Sequence, residues 1–357
     1  MATLRIGLIG CGFNGRFHSR SIRNLIRAGL VGAEYVAVCD LEKTRAMAFA
    51  EAAGVEVVSN DPKEIIDSPK IDVVYICVPT ADHKELVLRA AERGKHIFCE
   101  KPLATTLADV EDMVAAVESH QVKAGVGLIL RHSPIITVLK SLTEDRTLGR
   151  LMTIVFRDDQ FFPIQGHYDS DWRKDREIVG AGTLLEHSIH DIDVLRWLGG
   201  EVVELRASVR NFAGNEGVED LAIAHLEFES GGQAQLISVW HSVFGRPSTR
   251  RLELFFENGL FTVDDDYLGP IQFQTHANNS QTLSGDEVWE RYLALVGLDP
   301  RDFSETLGYT LEDYFFLTAA SASRAPFPDF RVALEAHRVV DAAYRSAATG
   351  ANAIRLA

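Results

Sequence analysis

Along the first 127 residues, apolar and polar positions switch repeatedly between two periods. Short apolar runs over 4–9, 35–39, 55–59, 73–78, 96–99 and 124–127 predict strands. Between them, apolar residues three to four apart over 41–53, 84–93 and 106–118 predict helices. Gly54 and Gly94 follow the first two of these helices, where a left-handed cap belongs. The run over 73–78 is almost wholly apolar, so it is expected at the centre of a sheet covered on both faces. Strands alternating with helices predict an α/β fold, a doubly wound parallel sheet of the Rossmann type.

Beyond residue 127 the pattern changes. A connecting helix over 128–142, broken near Pro134, precedes a strand over 151–156. A polar stretch rich in aromatic residues, 158–178, reads as a loop too long for a simple connection, and such loops are usually functional. Gly180 and Gly182 open a helix over 183–198, closed by Gly199 and Gly200. Strands over 202–209, 221–228, 233–240, 251–256 and 260–263, with turns at Ser230-Gly231-Gly232 and Glu257-Asn258-Gly259, predict a mainly antiparallel sheet. Helices over 286–295, 304–322 and 330–347 complete the chain. A length of 357 residues exceeds what one hydrophobic core usually supports. Two domains are therefore expected, 1–127 and 128–357, with the last helix packing back on the first.

Composition narrows the class of partner. The net charge of −15 disfavours nucleic acid and anionic membrane surfaces, which need a basic footprint. The N-terminus has no basic leader with an apolar core, and no apolar run approaches a membrane span, so the expected location is cytoplasmic. Cys11, Cys39, Cys77 and Cys99 lack the C-x-x-C spacing and read as free thiols rather than zinc ligands.

The segment Arg5-Ile6-Gly7-Leu8-Ile9-Gly10-Cys11-Gly12-Phe13-Asn14-Gly15 carries the first candidate chemistry. It reads as a strand, a G-x-G-x-x-G turn and a helix start near Asn14, with Phe13 and Asn14 expected among the cofactor-binding residues. Gly10 permits the tight turn, Gly12 lets backbone approach a pyrophosphate, and Gly15 lets helix and strand pack closely. Asp40 ends the second strand about 25 residues later, where a carboxylate accepts ribose hydroxyls and repels a 2′-phosphate. NAD is favoured over NADP on that ground. Ligands of such sheets bind outside the carboxyl ends of the strands, which singles out Pro79, Thr80 and His83 and the loop Glu100-Lys101-Pro102 as further cofactor-lining residues.

The sequence Gly94-Lys95-His96-Ile97-Phe98-Cys99-Glu100-Lys101-Pro102-Leu103 resembles the G-K-H-x-x-x-E-K-P segment of the glucose–fructose oxidoreductase / inositol dehydrogenase / MocA family. Trp172-Arg173, Gly180-x-Gly182-x-Leu184, His190-Asp191-x-Asp193 and Ala343-Tyr344-Arg345-Ser346-Ala347 resemble other motifs of that family in the same order. The resemblance implies a second domain with a large open sheet that serves homo-oligomer contacts, as in a dimer or tetramer. It also implies oxidation or reduction of a secondary alcohol of a sugar or cyclitol with NAD or NADP.

The resemblance further implies that Lys101 contacts the reacting hydroxyl and the cofactor ribose. A carboxylate and a histidine at i, i+4 spacing, here Glu186 and His190, complete the implied catalytic set. An imidazole titrates near neutrality, so His190 is the better base. Glu186 stands where many members have Asp. His187 reads either as a polar helix position or as a substrate contact, Asp191 and Asp193 read as structural, and no metal is expected. Tyr168, Trp172, Arg173 and His167 offer stacking and hydrogen bonds to a polyol. Two other functions are compatible with these residues: a keto-sugar reductase or sugar–sugar oxidoreductase holding its cofactor tightly, and a non-catalytic dinucleotide or sugar sensor.

Overall fold

A computed structural model of the chain describes residues 3–165, 168, 170–276, 278–303, 311–322 and 324–356. The chain forms two compact units, Met1–Leu128 with Tyr309–Leu334, and Ile129–Gly308 with Glu335–Ala357.

The first unit runs β1 (Leu4–Ile9), α1 (Phe13–Arg27), β2 (Ala33–Cys39), α2 (Lys43–Ala53), β3 (Val57–Ser59), α3 (Pro62–Ile66), β4 (Val73–Ile76), α4 (His83–Glu92), β5 (His96–Cys99), α5 (Leu107–Ser119) and β6 (Ala124–Val126). Its six strands are parallel in the order β3-β2-β1-β4-β5-β6. The order reverses between β1 and β4, the switch point at which such sheets bind ligands. All four residues of β4 are buried, as its unbroken apolar run requires. Helix α3 is too short to show a period, although Asp61 caps it and Pro62 opens it.

The second unit contains α6 (Pro134–Thr143), β7 (Leu151–Phe161), α7 (Arg176–Val179), α8 (Thr183–Glu186), α9 (Ile189–Gly199), β8 (Val202–Arg210), β9 (Leu221–Phe228), β10 (Gln233–His241), β11 (Thr249–Phe256), β12 (Gly259–Val263), β13 (Ile271–Thr275), β14 (Asn278–Leu283) and α10 (Gly285–Val296). With β15 (Ile354–Arg355), its nine strands follow the order β14-β13-β12-β11-β7-β10-β9-β8-β15; β7 and β10 are parallel and the other neighbours antiparallel. Pro134 starts α6 instead of breaking a longer helix, because a proline fits the first helical position after the Ser133 cap.

Two departures from the sequence pattern shape the site. Strand β7 continues to Phe161, so Asp158, Asp159 and Gln160 are buried strand residues and not part of a loop. Their polarity is matched by partners on neighbouring segments, such as Arg250 and Arg246, which the local pattern does not reveal. The expected helix over 183–198 is two helices, separated at His187 and Ser188. The β13–β14 hairpin was also hidden, since the segment forming β14 has one apolar residue, Leu283.

The chain ends with α11 (Leu311–Ser321), α12 (Phe330–Ala348) and β15 (Ile354–Arg355), which pairs with β8. Residues 304–310, where the first of these helices was expected to start, lie outside the described residues. Phe316 and Leu317 of α11 pack with Ile6, Leu8, Tyr75 and Phe98 on one face of the parallel sheet. Phe330, Ala333 and Leu334 join the apolar core that contains Val74, Ile76 and Ile97.

Candidate active site

At the end of β1 the backbone turns at Gly10, whose φ of +99° disfavours other residues. A β carbon at Gly10 would lie 2.4 Å from the Cys77 carbonyl oxygen, and one at Gly15 would lie 1.9 Å from the Gly10 carbonyl oxygen. Gly12, by contrast, faces open space, with no atom within 4 Å of such a carbon. It caps α1 without a side-chain bond, leaving the first-turn N–H groups and the positive end of the helix for an anion. Phe13 is exposed and Asn14 half-buried at this opening.

The Asp40 carboxylate is anchored at the end of β2. One oxygen accepts the Cys11 N–H at 2.9 Å, and the other accepts the Glu42 N–H at 2.9 Å and Arg45 Nε at 3.2 Å. Arg45 also reaches Glu42 at 3.1 Å, so its charge is shared between carboxylates.

The loops after β4 and β5 are tied together by His83. Its Nε2 lies 2.9 Å from the Val78 carbonyl, and its Nδ1 lies 3.0 and 3.3 Å from the Pro102 and Leu103 carbonyls. At 1% exposure the ring stands behind the loops, whereas the sequence pattern placed it on their lining. Pro79 and the buried Thr80 start the turn Thr80–Asp82. Lys101 follows β5 and is half-buried; its N–H donates to Glu100 Oε2 at 3.2 Å. Glu100 is itself buried, and its other oxygen lies 2.8 Å from His18 Nε2.

In the second unit, Glu219 pins the start of α8. Its carboxylate accepts the N–H groups of Gly182 at 2.7 Å and Leu184 at 3.0 Å, and the Tyr344 hydroxyl at 2.8 Å. A β carbon at Gly182 would sit 1.8 Å from the Glu219 carbonyl oxygen, so this glycine is required by close approach. Burial raises the Glu219 carboxyl above its ordinary range. Glu186 ends α8, 2% exposed, and accepts Arg173 Nε at 2.8 Å. The Arg173 guanidinium lies over the Trp172 ring at 4.4 Å. Three of the residues proposed for substrate contact are thereby brought together.

His190 lies in the first turn of α9, beyond the break, so it and Glu186 stand on two successive short helices and not on the one continuous helix expected. The break has a side-chain cause: Thr183 and Ser188 both bond to Ser238 of β10, at 2.8 and 2.6 Å, while the Ser188 N–H donates to the Thr183 carbonyl at 2.8 Å. His187 sits at the break, its Nε2 2.7 Å from Asp158 Oδ2 and 3.1 Å from Arg250 Nη2.

Asp158 stands in register between Arg250 of β11 and Ser238 of β10, which makes a buried polar row across the central strands. Arg250 also donates to Asp191 at 2.9 Å and to Asp266. Burial, followed by the charge of Asp158, pushes the Asp191 carboxyl up to about 7, against the pull of Arg250. Asp158 is raised by burial too. Asp193 is held by Arg131 through two 2.7 Å bonds. The Tyr168 ring lies 5.6 Å from Phe161, and its hydroxyl is 3.5 Å from Gln160. His167 lies outside the described residues.

With this geometry established, comparison with known proteins gives a consistent result. The family model described as the oxidoreductase family with an NAD-binding Rossmann fold, GFO/IDH/MocA, matches residues 4–128, and the GFO/IDH/MocA C-terminal domain matches residues 136–262. The chain belongs to the GFO/IDH/MocA oxidoreductase family. It is 32% identical over 269 residues to a myo-inositol 2-dehydrogenase of Thermotoga maritima, covering 73% of this chain and 75% of that enzyme. It is 28% identical over 353 residues to an inositol 2-dehydrogenase of Rhizobium meliloti, covering 97% of each. A solved structure of levoglucosan dehydrogenase with NADH and L-sorbose shares its fold, with a TM-score of 0.88 over 100% of both chains at 24% identity.

The first unit is thus the NAD-binding Rossmann fold of the GFO/IDH/MocA family, and its residues fit a dinucleotide. The space before Gly12 is one that a side chain would fill, and Asp40 offers a fixed carboxylate at the end of β2. Among the described residues, no cluster of three His, Cys, Asp or Glu is placed to hold a metal ion, and no helix is long and apolar enough to cross a membrane.

Proposed function

We propose that this family member is an NAD-dependent dehydrogenase that oxidises a secondary alcohol of a neutral sugar, sugar derivative or cyclitol. The observation that carries the reading is the composition of the second-unit site. Glu186 is fixed by Arg173 over Trp172, with His187 and His190 on the segment that follows. Such a set offers hydroxyl acceptors and donors beside an apolar ring, which suits a polyol. The arginines of the site are already matched by carboxylates, Arg173 by Glu186 and Arg250 by Asp158, Asp191 and Asp266. That balance favours an uncharged substrate over an acidic or phosphorylated one.

When bound, NAD supplies the hydride acceptor. Lys101 polarises the substrate hydroxyl. His190 accepts the hydroxyl proton, and Glu186 accepts a neighbouring substrate hydroxyl while Arg173 keeps it oriented. Tyr168, Trp172 and His187 contact the substrate, and the N-terminal glycines with Phe13, Asn14, Pro79, Thr80 and Asp40 hold the dinucleotide.

On the same reading the enzyme works in the cytoplasm, supported by the free and mostly buried thiols. It assembles as a dimer or tetramer through the open face of its second sheet. Exposed Ile223 on β9 and Phe255 on β11 support this, since the strand register sets both on the face opposite Asp158 and Ser238.

The test is a screen of neutral sugars and cyclitols, with NAD and NADP, read at about 340 nm where the reduced nicotinamide absorbs. Lys101→Ala is expected to lower kcat by about a thousandfold while NAD binding persists. A variant with unchanged turnover would remove Lys101 from the mechanism.

A further inference from the structure

We propose that His18 is a positioning residue for the lysine loop: clamped between Glu100 and Asp313, its ring holds Glu100 as the anion that braces the backbone and charge of Lys101. The inference rests on the reading of Lys101 given above. His18 lies in the helix that opens at the glycine turn and is 1% exposed. Its Nε2 is 2.8 Å from Glu100 Oε1, and its Nδ1 is 2.9 Å from Asp313 Oδ1 on α11.

Both ring nitrogens therefore face carboxylate oxygens. A neutral imidazole carries a single N–H, so it could satisfy one carboxylate only by turning a lone pair toward the other. A doubly protonated ring donates in both contacts, which matches two short approaches to carboxylate oxygens. Burial opposes that charge, yet Asp313 and Glu100 hold the imidazole well above its ordinary range. In return, and again against burial, His18 and then Lys101 keep the Glu100 carboxyl below its usual range.

The surroundings leave the clamp little freedom. Tyr75 and Phe98 pack on the ring at 5.5 and 4.9 Å between centroids. A β carbon at Gly127 would lie 2.9 Å from Glu100 Oε2, so the carboxylate fills the space beside that backbone. Other titratable groups around the pair are Tyr75 of β4, Cys77 just after it, Cys99 of β5 and Glu312 on α11, and burial pushes each of them toward its neutral form. Glu100 and Asp313 thus face His18 within the cluster, and Lys101 lies on the other side of Glu100's charge. Buried charges persist when matched in this way. One helix thus presents its N-terminus to the dinucleotide site and, from its second turn, sets the loop that carries the lysine.

The test compares full-length His18→Gln and His18→Leu with the wild type, measuring NAD affinity and kcat from about pH 6 to 10. NAD affinity is expected to stay within about threefold, whereas kcat falls about tenfold in His18→Gln and about a hundredfold in His18→Leu, because the glutamine amide still donates to Glu100. Without the imidazolium, Glu100 takes up its proton at higher pH, so the acid limb of the kcat profile moves upward in both variants. A role in stability alone would lower kcat by the same factor at every pH, and such parallel profiles, or an unchanged kcat, would overturn the proposal. If His18→Leu does not fold, His18→Gln decides, with circular dichroism and NAD binding as checks. The nitrogen NMR shifts of His18 report the ring's charge whatever the role of Lys101: a ring neutral at about pH 7 refutes the clamp itself. An active Lys101→Ala enzyme with a charged His18 refutes the lysine reading instead.

Discussion

The dinucleotide cradle and the buried polar row of the second unit achieve precision by opposite means. The cradle is made of backbone: Gly10, Gly12 and Gly15 matter for the side chains they lack, and Asp40 adds one carboxylate. The polar row is made of side chains from distant segments, with Asp158, His187, Asp191, Arg250 and Asp266 completing one another. A backbone site tolerates change on its surface but almost none at its glycines. A side-chain network spreads its charge over several groups, so one isosteric change alters a proton rather than the fold.

The largest effects should come from the close-approach glycines, and they separate the two sites. Gly15→Ala places a methyl 1.9 Å from the Gly10 carbonyl oxygen, and NAD affinity measured by titration is expected to fall at least about a hundredfold. Gly182→Ala, equally crowded against Glu219, should leave NAD binding in place and abolish turnover. Loss of NAD binding in both would show that the sites do not act separately.

A smaller loss is expected from Glu186→Gln, which removes the partner of Arg173; kcat should drop about thirtyfold, with NAD affinity unchanged. Equal kcat would make that ion pair purely structural. Asp40→Ser should raise the KM for NAD by about tenfold and narrow the preference over NADP, since the carboxylate that repels a 2′-phosphate is gone. An unaltered preference would move cofactor choice elsewhere.

The smallest effect tests the proton on Asp191 in the polar row. With its carboxyl pushed up to about 7, Asp191 keeps a proton in the folded chain that the unfolded chain releases near its ordinary value of 3.8. Stability should therefore fall as pH rises through that window and level off above it. Asp191→Asn mimics the protonated acid, so its melting temperature should lose this slope and exceed the wild type at about pH 8 by about 2–4 °C. An identical slope in both proteins would mean that Asp191 carries no such proton.

The same contrast decides which features are legible in the sequence. The parallel sheet was legible because each strand is a local apolar run, and the cradle because glycine is distinctive at a tight turn. Asp158 has the local pattern of a loop because its partner, Arg250, is remote in the chain and is matched only through strand pairing. His83 has the composition of a lining residue, and only the carbonyls around it reveal a tie between loops. Glu219 has a single trace, the glycine at 182, whose need for space has no visible cause until the segment before β9 lies beside it. The break at Ser188 was invisible for the same reason, since Ser238 lies on another element.

The most direct test of the proposed chemistry is the initial rate of NADH formation, for the wild type and Lys101→Ala in parallel, across neutral inositols and sugars. The expected result is turnover of at least one neutral polyol by the wild type and a loss of about a thousandfold in the variant, with NAD affinity within about threefold. Contradiction would come from a variant as fast as the wild type, or from a wild type that binds NAD and oxidises nothing in the panel.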